Sequence, residues 1–466
     1  MARALLRAAF LLAVAPALFA QCEPRAEVRQ VLDEKLSEKA LREMKFTERA
    51  AFRRRTLEEL IAKYPREVEP YRRLIKATKD EETDRYPALV DRYRKQAEEH
   101  PDDPVALYAA GLALSGVDTP LSIRFLEQAR SQAPNFAWPA LELAHIYSPG
   151  TKRVDKKKSG EEIAAFFAAC PSSTDKDAQW RLDRAGSSEL QARVAAALRA
   201  RLGAETDPRR LKEYETLWGL EFRTHAPPEH DAVRKQVAAD LQRLEPLNPH
   251  PDAAWLVFLK NGYKQSGSSA ETVAAMEDRA IQAFPHSDEA YRIVRDRWEK
   301  AHKEPEDPKD TAAWDKYHAE YRAALKDWIA RFTDSRELQY KERFYAISND
   351  PDVPAEEGLR AVDDFLAETS VYEPPSIGNR LWAAEFLVDH KWQPQRVFDL
   401  MRDADKLMDQ WHIRMLGDNM PDEAQDVFAS NEAILRQSAA IDGCILAEHL
   451  DAFKKRSCGA RTLVIA

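Results

Sequence analysis

Residues 99–147 carry one helical spacing twice. Leu107, Ala110, Gly111 and Leu114 stand at offsets of three, one and three, and thirty-three residues later Ala140, Leu143, Ala144 and Tyr147 repeat those offsets. Between the two sets, Ser122, Leu126, Ala129 and Pro134 read as small, large, small and then a stop on a second helix. Offsets of three and four put each set on one helical face. Small residues at Gly111 and Ala144 let two helices approach closely, and Leu126, Leu143 and Tyr147 fill the space that remains. A pair of short helices built this way has two apolar faces and can bury only one by itself. It therefore needs neighbours of the same kind, which restricts the chain to stacked hairpins. Two unrelated amphipathic helices in an ordinary bundle would supply Leu/Ala spacing, but neither the repetition nor the closing proline.

The unit resembles the tetratricopeptide (TPR) pattern, a helix-turn-helix of about 34 residues. Tyr64-Pro65, His100-Pro101, Ala133-Pro134 and Cys170-Pro171 punctuate the chain at intervals of 36, 33 and 37 residues. Proline disfavours helix at the residue before it, so each pair marks a helix end. The first of these units is degenerate, with charged residues where small ones belong. A later stretch, from Asn379 to Trp411, resembles another TPR pair, with Leu381, Ala384 and Leu387 followed by Val397, Leu400 and Ala404. At 466 residues the chain exceeds a single core, since such cores stop growing near about 250–300 residues. Few stretches alternate apolar and polar residues as strands do. The expected fold is all-α, a TPR-like superhelix of helical hairpins (an α-solenoid). Dense punctuation from Pro246 to Pro251 suggests a border, giving one TPR-like array over 21–246 and a second over 247–450, with an irregular tail at 451–466.

Arg3 and Arg7 precede or enter an apolar run that ends at Ala20. A short basic region, an apolar core and a small residue before the cut have the form of a signal peptide over 1–20. Cleavage is expected after Ala20, with Leu18 bulkier than the usual residue two positions earlier. The run is too short for a membrane anchor and contains Pro16, and no later segment is apolar for long enough to span a bilayer. Cys22 invites a lipoprotein reading, but Gln21 occupies the place a small residue would take. An exported, periplasmic or secreted chain follows, without stable membrane insertion after cleavage. With 70 Lys+Arg against 79 Asp+Glu, a net −9, the surface is mixed and lacks the basic bias of a nucleic-acid binder. The basic run at Lys152, Arg153 and Lys156 to Lys158 reads as part of a solvated loop, 148–160. Helix openings are expected at Ser159 and Ser268, each with a glutamate three residues on (Glu162, Glu271) as a capping box. Asp207-Pro208 should open a helix running to Phe222. Residues 349–358 read as a loop, and a final helix should run from Asp422 to about Leu450.

No catalytic motif emerges, and no catalytic, cofactor-binding or metal-ligating residue is assigned. None of Cys22, Cys170, Cys444 and Cys458 forms Cys-x-x-Cys, so a thioredoxin-type pair is absent. Cys444 and Cys458 would pair only if the chain turns between them. Cys170, at a helix end, reads as a buried structural thiol. GYKQSGSS at 262–269 has the glycine spacing of a phosphate loop but lacks the lysine after Gly267; Ser268 and Ser269 suit helix caps better. His225 and His230 flank two prolines and cannot share a helical face, which argues against a zinc pair. Asp350, Asp352, Glu356 and Glu357 lack calcium-loop spacing because of Pro351 and Pro354. Trp138, Trp218, Trp255 and Trp382 fall on helix stripes and read as core.

CPSSTDKDAQWRL at 170–182, SSELQARVAAALRARLGAETDP at 187–208 and YETLWGLEFR at 214–223 resemble the helical, TPR-containing N-terminal regions of exported bacterial thioredoxin-like redoxins. The resemblance covers most of residues 21–435. It implies a redox domain with Cys-x-x-Cys beyond such a region; this chain ends before one appears, and no active-site residue carries over. The expected function is therefore a protein-interaction module without catalysis, holding a protein or peptide partner on its concave face. The alternative is the recognition region of a thiol-disulfide oxidoreductase whose redox domain is missing or supplied by another chain.

Overall fold

A computed structural model of the chain describes residues 22–415, apart from 42–43, 45, 83–84, 150, 152, 308, 336–337, 351 and 369–374. The expected signal peptide, the helix from Asp422, Cys444, Cys458 and the 451–466 tail lie outside the described residues. Those described are helices and turns with no strand, and the helices pack neighbour to neighbour. The fold is all-α and TPR-like, as the doubled spacing requires.

The chain separates into two compact units, one drawn from Met1–Leu190 and Leu366–Ala466 and the other Gln191–Phe365. The border expected near Pro246 falls inside the second unit. In the first, α1 (Ala26–Lys35) and α2 (Phe46–Lys63) lead into hairpins made of α3 (Val68–Glu81) with α4 (Tyr86–Glu99), α5 (Pro104–Leu114) with α6 (Thr119–Gln132), and α7 (Trp138–Ile146) with α8 (Lys156–Ala169). Helix α9 (Lys176–Ala185) opens the next turn of the array. The first helices of successive hairpins, α3, α5, α7 and α9, also meet one another in order.

The doubled spacing marks where two hairpins close. Helix α5 begins at Pro104 behind Asp103, whose carboxylate accepts from Val105 N, and ends before Gly116, where φ is +88°. A left-handed turn of this kind suits glycine. Nearly every residue of α5 is buried, as a helix apolar all round must be. A methyl group on Gly111 would come within 2.7 Å of Leu126 Cγ, so the helices cross there at glycine. The Ser122 hydroxyl donates to the Gly111 carbonyl at 2.6 Å, and in the next hairpin the Ser159 hydroxyl donates to the Ala144 carbonyl at 3.0 Å. The same serine-to-small-residue bond thus ties both pairs.

That bond corrects the expected cap at Ser159. Asp155, in extended backbone, accepts from Lys158 N at 3.0 Å and starts the helix at Lys156. Ser159 lies one turn inside and faces α7, and the 148–160 loop is shorter than expected.

The second unit contains most of α10 (Ser188–Gly203), then α11 (Tyr214–Thr224), α12 (His230–Leu244), α13 (Ala253–Gln265), α14 (Ala270–Ala283), α15 (Asp288–Ala301), α16 (Thr311–Arg331), α17 (Arg343–Ser348) and most of α18 (Ala355–Ala367). Asp207 does cap a helix opening, but Pro208–Leu211 is a single turn, and the chain restarts at Tyr214. Helix α14 is capped by Ser269, which accepts from Thr272 N; Ser268 instead bonds Ser266. Gly262 belongs to α13, where an added methyl would meet Leu241 and Trp218. Its glycine serves close helix packing, away from any phosphate loop. The loop expected over 349–358 ends early, because α18 begins at Ala355.

The chain then returns to the first unit with α19 (Pro375–Asp389) and α20 (Pro394–Met415), the pair expected over 379–411. Lys391 and Gln393 turn between them at φ +57° and +44°. Just before this pair, Glu368 holds Arg49 of α2 at 2.9 Å.

Candidate functional site

Chemistry gathers in the layer of first helices of the first unit. Helix α3 contributes Glu69 and Arg72, α5 Tyr108, α7 Glu142 and His145, and α9 Arg181, with Asp175 at its cap. The 33-residue periodicity aligns these helices side by side, so one polar position per helix suffices to build a cluster.

At one end of the cluster Arg72 is well supplied. Its Nη1 reaches Asp175 at 2.8 Å and Glu69 at 3.0 Å, and its guanidinium lies 4.1 Å from the centre of the Trp138 ring. Asp175 also accepts from Ala178 N as the cap of α9. Burial works against its charge, but Arg72 and the backbone donors outweigh it, and its carboxyl is held below the ordinary range.

Across the cluster the balance reverses. Arg181 is 7% exposed, and among the described residues its Nε and Nη1 have no hydrogen-bond partner and no carboxylate lies within 4.0 Å of it. Its Nη2 meets His145 Nδ1. Because an arginine only donates, this contact assigns the hydrogen of the neutral ring to Nε2. His145 keeps a good part of its surface exposed, yet neighbouring protein crowds its ring. That crowding first, and then the Arg181 and Lys79 charges, push its pKa down to about 4. Burial likewise lowers the Arg181 pKa, with Glu142, Asp177 and Asp175 pulling the other way. Glu142, partly exposed, touches neither arginine; burial raises its carboxyl despite Arg72 and Arg181. The Tyr108 hydroxyl is fully buried without a partner.

Unpaired buried polar atoms are rare in folded proteins and call for a reason. Here they recur on α3, α5 and α9 within one cluster. Sequence reading missed every one of these side chains, although a signal was present: Glu142 and His145 are the two titratable residues in the otherwise apolar segment WPALELAHI. A charge inside a repeat helix, on a position facing its neighbours, was the mark to look for.

The residues weighed from sequence lie elsewhere and do different work. Cys170 is not a free thiol: it is bonded to Cys22, with Cα atoms 5.3 Å apart and 148 residues between them. The cap-proximal position of Cys170, before Pro171, holds it within reach of the start of the described chain. A pairing so distant in sequence left no local signal. The bond also accounts for the Cys22 sulfur, which cannot carry a lipid while so joined. His225 and His230 turn to backbone carbonyls of Glu221 and Phe222. Trp138, Trp218 and Trp255 are buried, whereas Trp180 is 44% exposed, stacked under Arg184.

The class these features define is an array of TPR-like helical hairpins with a partly unsatisfied polar cluster on its first-helix layer. No protein-family model and no curated protein matches the chain. Among the described residues, no helix is long and apolar enough to cross a membrane.

Proposed function

We propose that the mature chain is an exported, non-catalytic interaction module that holds a protein or peptide partner along the α3–α5–α7–α9 layer. The observation that carries this reading is the cluster on α3, α5, α7 and α9, which brings polar groups together and leaves several of them unmatched. Stacked-hairpin proteins present extended surfaces of this kind for binding. Two further features support export. The first twenty residues have signal-peptide form, and the Cys22–Cys170 bond belongs to an oxidising compartment. The resemblance to helical regions of exported redoxins fits the same location.

The test uses the chain from Gln21 onward, immobilised and exposed to a random peptide library. Selected peptides should lose at least tenfold in affinity when Arg181→Gln and Glu142→Gln are combined. A library that yields nothing, or peptides indifferent to the double substitution, defeats the reading. Export is checked separately by N-terminal sequencing of the secreted product, which should begin at Gln21.

A further inference from the structure

Arg181 and Glu142 carry opposite charges in the same cluster, each without an ionic partner among the described residues. In poorly hydrated surroundings such charges attract strongly, and a purely structural pair would close into contact. Instead Arg181 stays more than 4.0 Å from any carboxylate of the described residues and gives Nη2 to a neutral histidine. Its Nε and Nη1 and the Tyr108 hydroxyl remain without partners in buried positions. Of the other nearby charges, Arg72 is held by Asp175 and Glu69, and the Lys79 ammonium donates to the Ser115 carbonyl at 3.4 Å.

Charge complementarity selects among ligands. A plain anion would satisfy Arg181 but meet repulsion from Glu142 and Asp177. A plain cation would satisfy Glu142 but be repelled by Arg181. A molecule carrying both charges a few bonds apart matches both at once and leaves the net charge of the cluster unchanged. We propose that this cluster binds a zwitterion bearing a carboxylate and an ammonium group, as in a free α-amino acid or a very short peptide, with the carboxylate on Arg181 and the ammonium between Glu142 and the Tyr108 oxygen. His145 Nε2–H is a further donor for the carboxylate. This rests on the same cluster as the partner-holding reading, and the two are told apart because a held peptide need not present both a free carboxylate and a free ammonium here.

Calorimetry on the mature full chain tests it with the free amino acids, their dipeptides, and the N-acetyl and C-amide derivatives of the tightest one. At least one amino acid or dipeptide should bind, and its N-acetyl and amide forms should bind at least tenfold more weakly. Glu142→Gln should weaken the zwitterion about tenfold while leaving the N-acetyl form unchanged. Arg181→Gln should weaken both, with an unaltered circular dichroism spectrum. A free amino acid tighter than its dipeptides identifies the source as a single residue; the reverse order identifies a short peptide. The proposal is overturned if no amino acid or dipeptide binds, if the N-acetyl form binds as tightly as its parent, or if Glu142→Gln leaves the zwitterion's affinity unchanged. Failure here leaves the peptide-library result standing, so the two readings fall separately.

Discussion

Two arginine sites, one in each unit, use the same residue in opposite ways. Arg199 of α10 gives Nε and Nη2 to Glu221 at 2.6 Å each, and Nη1 reaches both oxygens of Asp240 at 3.0 and 3.1 Å. Trp218 Nε1 donates to the same Asp240 carboxylate at 2.9 Å. Burial alone would weaken the guanidinium's charge, but the two carboxylates outweigh it and raise its pKa. Among the described residues no carboxylate contacts Arg181 of α9, and burial prevails, lowering its pKa. A guanidinium locked between two carboxylates joins α10, α11 and α12. Arg181 connects α9 to α7 through a neutral histidine instead of a carboxylate. The first is mortar between charges, and the second meets a neutral ring.

The widest gap between the two sites should appear on substitution. Arg199→Met strands Glu221 and Asp240 without their cation, and losing one side of a buried ion pair costs about 3–5 kcal/mol. Urea unfolding of the second unit's transition should show a loss of that size. A change under about 1 kcal/mol would mean that the Arg199 network is not what binds α10 to its neighbours.

The units should also differ in their response to reductant, because the Cys22–Cys170 bond lies wholly within the first. Removing a bond that closes so long a loop costs about 2–5 kcal/mol. Cys22→Ser combined with Cys170→Ser should lower the first unit's melting transition and leave the second's in place. A downward shift of both transitions, or of neither, would contradict the assignment of that bond to one unit.

Much of the packing was legible because it is local and periodic. Gly111, Leu126, Leu143 and Ala144 announce close helix crossings by size and spacing, and these residues are buried where the pattern puts them. Helix starts were harder wherever two candidate caps lay close together. Asp155 outcompetes Ser159 because its longer, charged side chain sits at the extended position before the helix, and Ser269 outcompetes Ser268 for the same positional reason. The site was illegible for another reason. Arg72, Tyr108, Glu142 and Arg181 come from four different helices, and nothing in a single chain's order says which polar positions of successive hairpins will face each other. The disulfide is the extreme case, with partners 148 residues apart.

The crossing at Gly111 offers a smaller test. Adding a methyl there pushes on Leu126 Cγ, which is anchored near the backbone and cannot simply swing aside. Overpacking of this kind costs about 1–3 kcal/mol, partly offset by alanine's better helix propensity. Gly111→Ala should therefore destabilise the first unit, and a neutral or stabilised variant would mean that α5 and α6 part more easily than the Ser122 bond suggests.

Acid should act on the first unit by way of His145. Its folded pKa of about 4 lies below the value near 6.5 of an unfolded histidine, so between those values the unfolded chain binds more protons. Stability from this group is complete above about pH 6.5 and declines as pH falls toward 4. Protonation removes the lone pair that Arg181 uses and adds a positive charge beside it. His145→Gln should flatten that part of the first unit's stability profile, and an unchanged slope would place the titration on another group.

The smallest effect is the most telling for the contrast drawn above. Replacing Arg181 by methionine removes a buried charge that has no ionic partner among the described residues, and an unpaired charge is costly to bury. Arg181→Met should therefore leave the first unit's unfolding free energy within about 1 kcal/mol of the unsubstituted chain, or raise it. The same replacement at Arg199 costs several times more if the two sites differ as described. Side by side, the pair of substitutions separates an arginine retained for stability from one retained at stability's expense. Equal losses at both would show that Arg181 is held by the fold as tightly as Arg199, and a purpose outside the fold would no longer be needed to explain it.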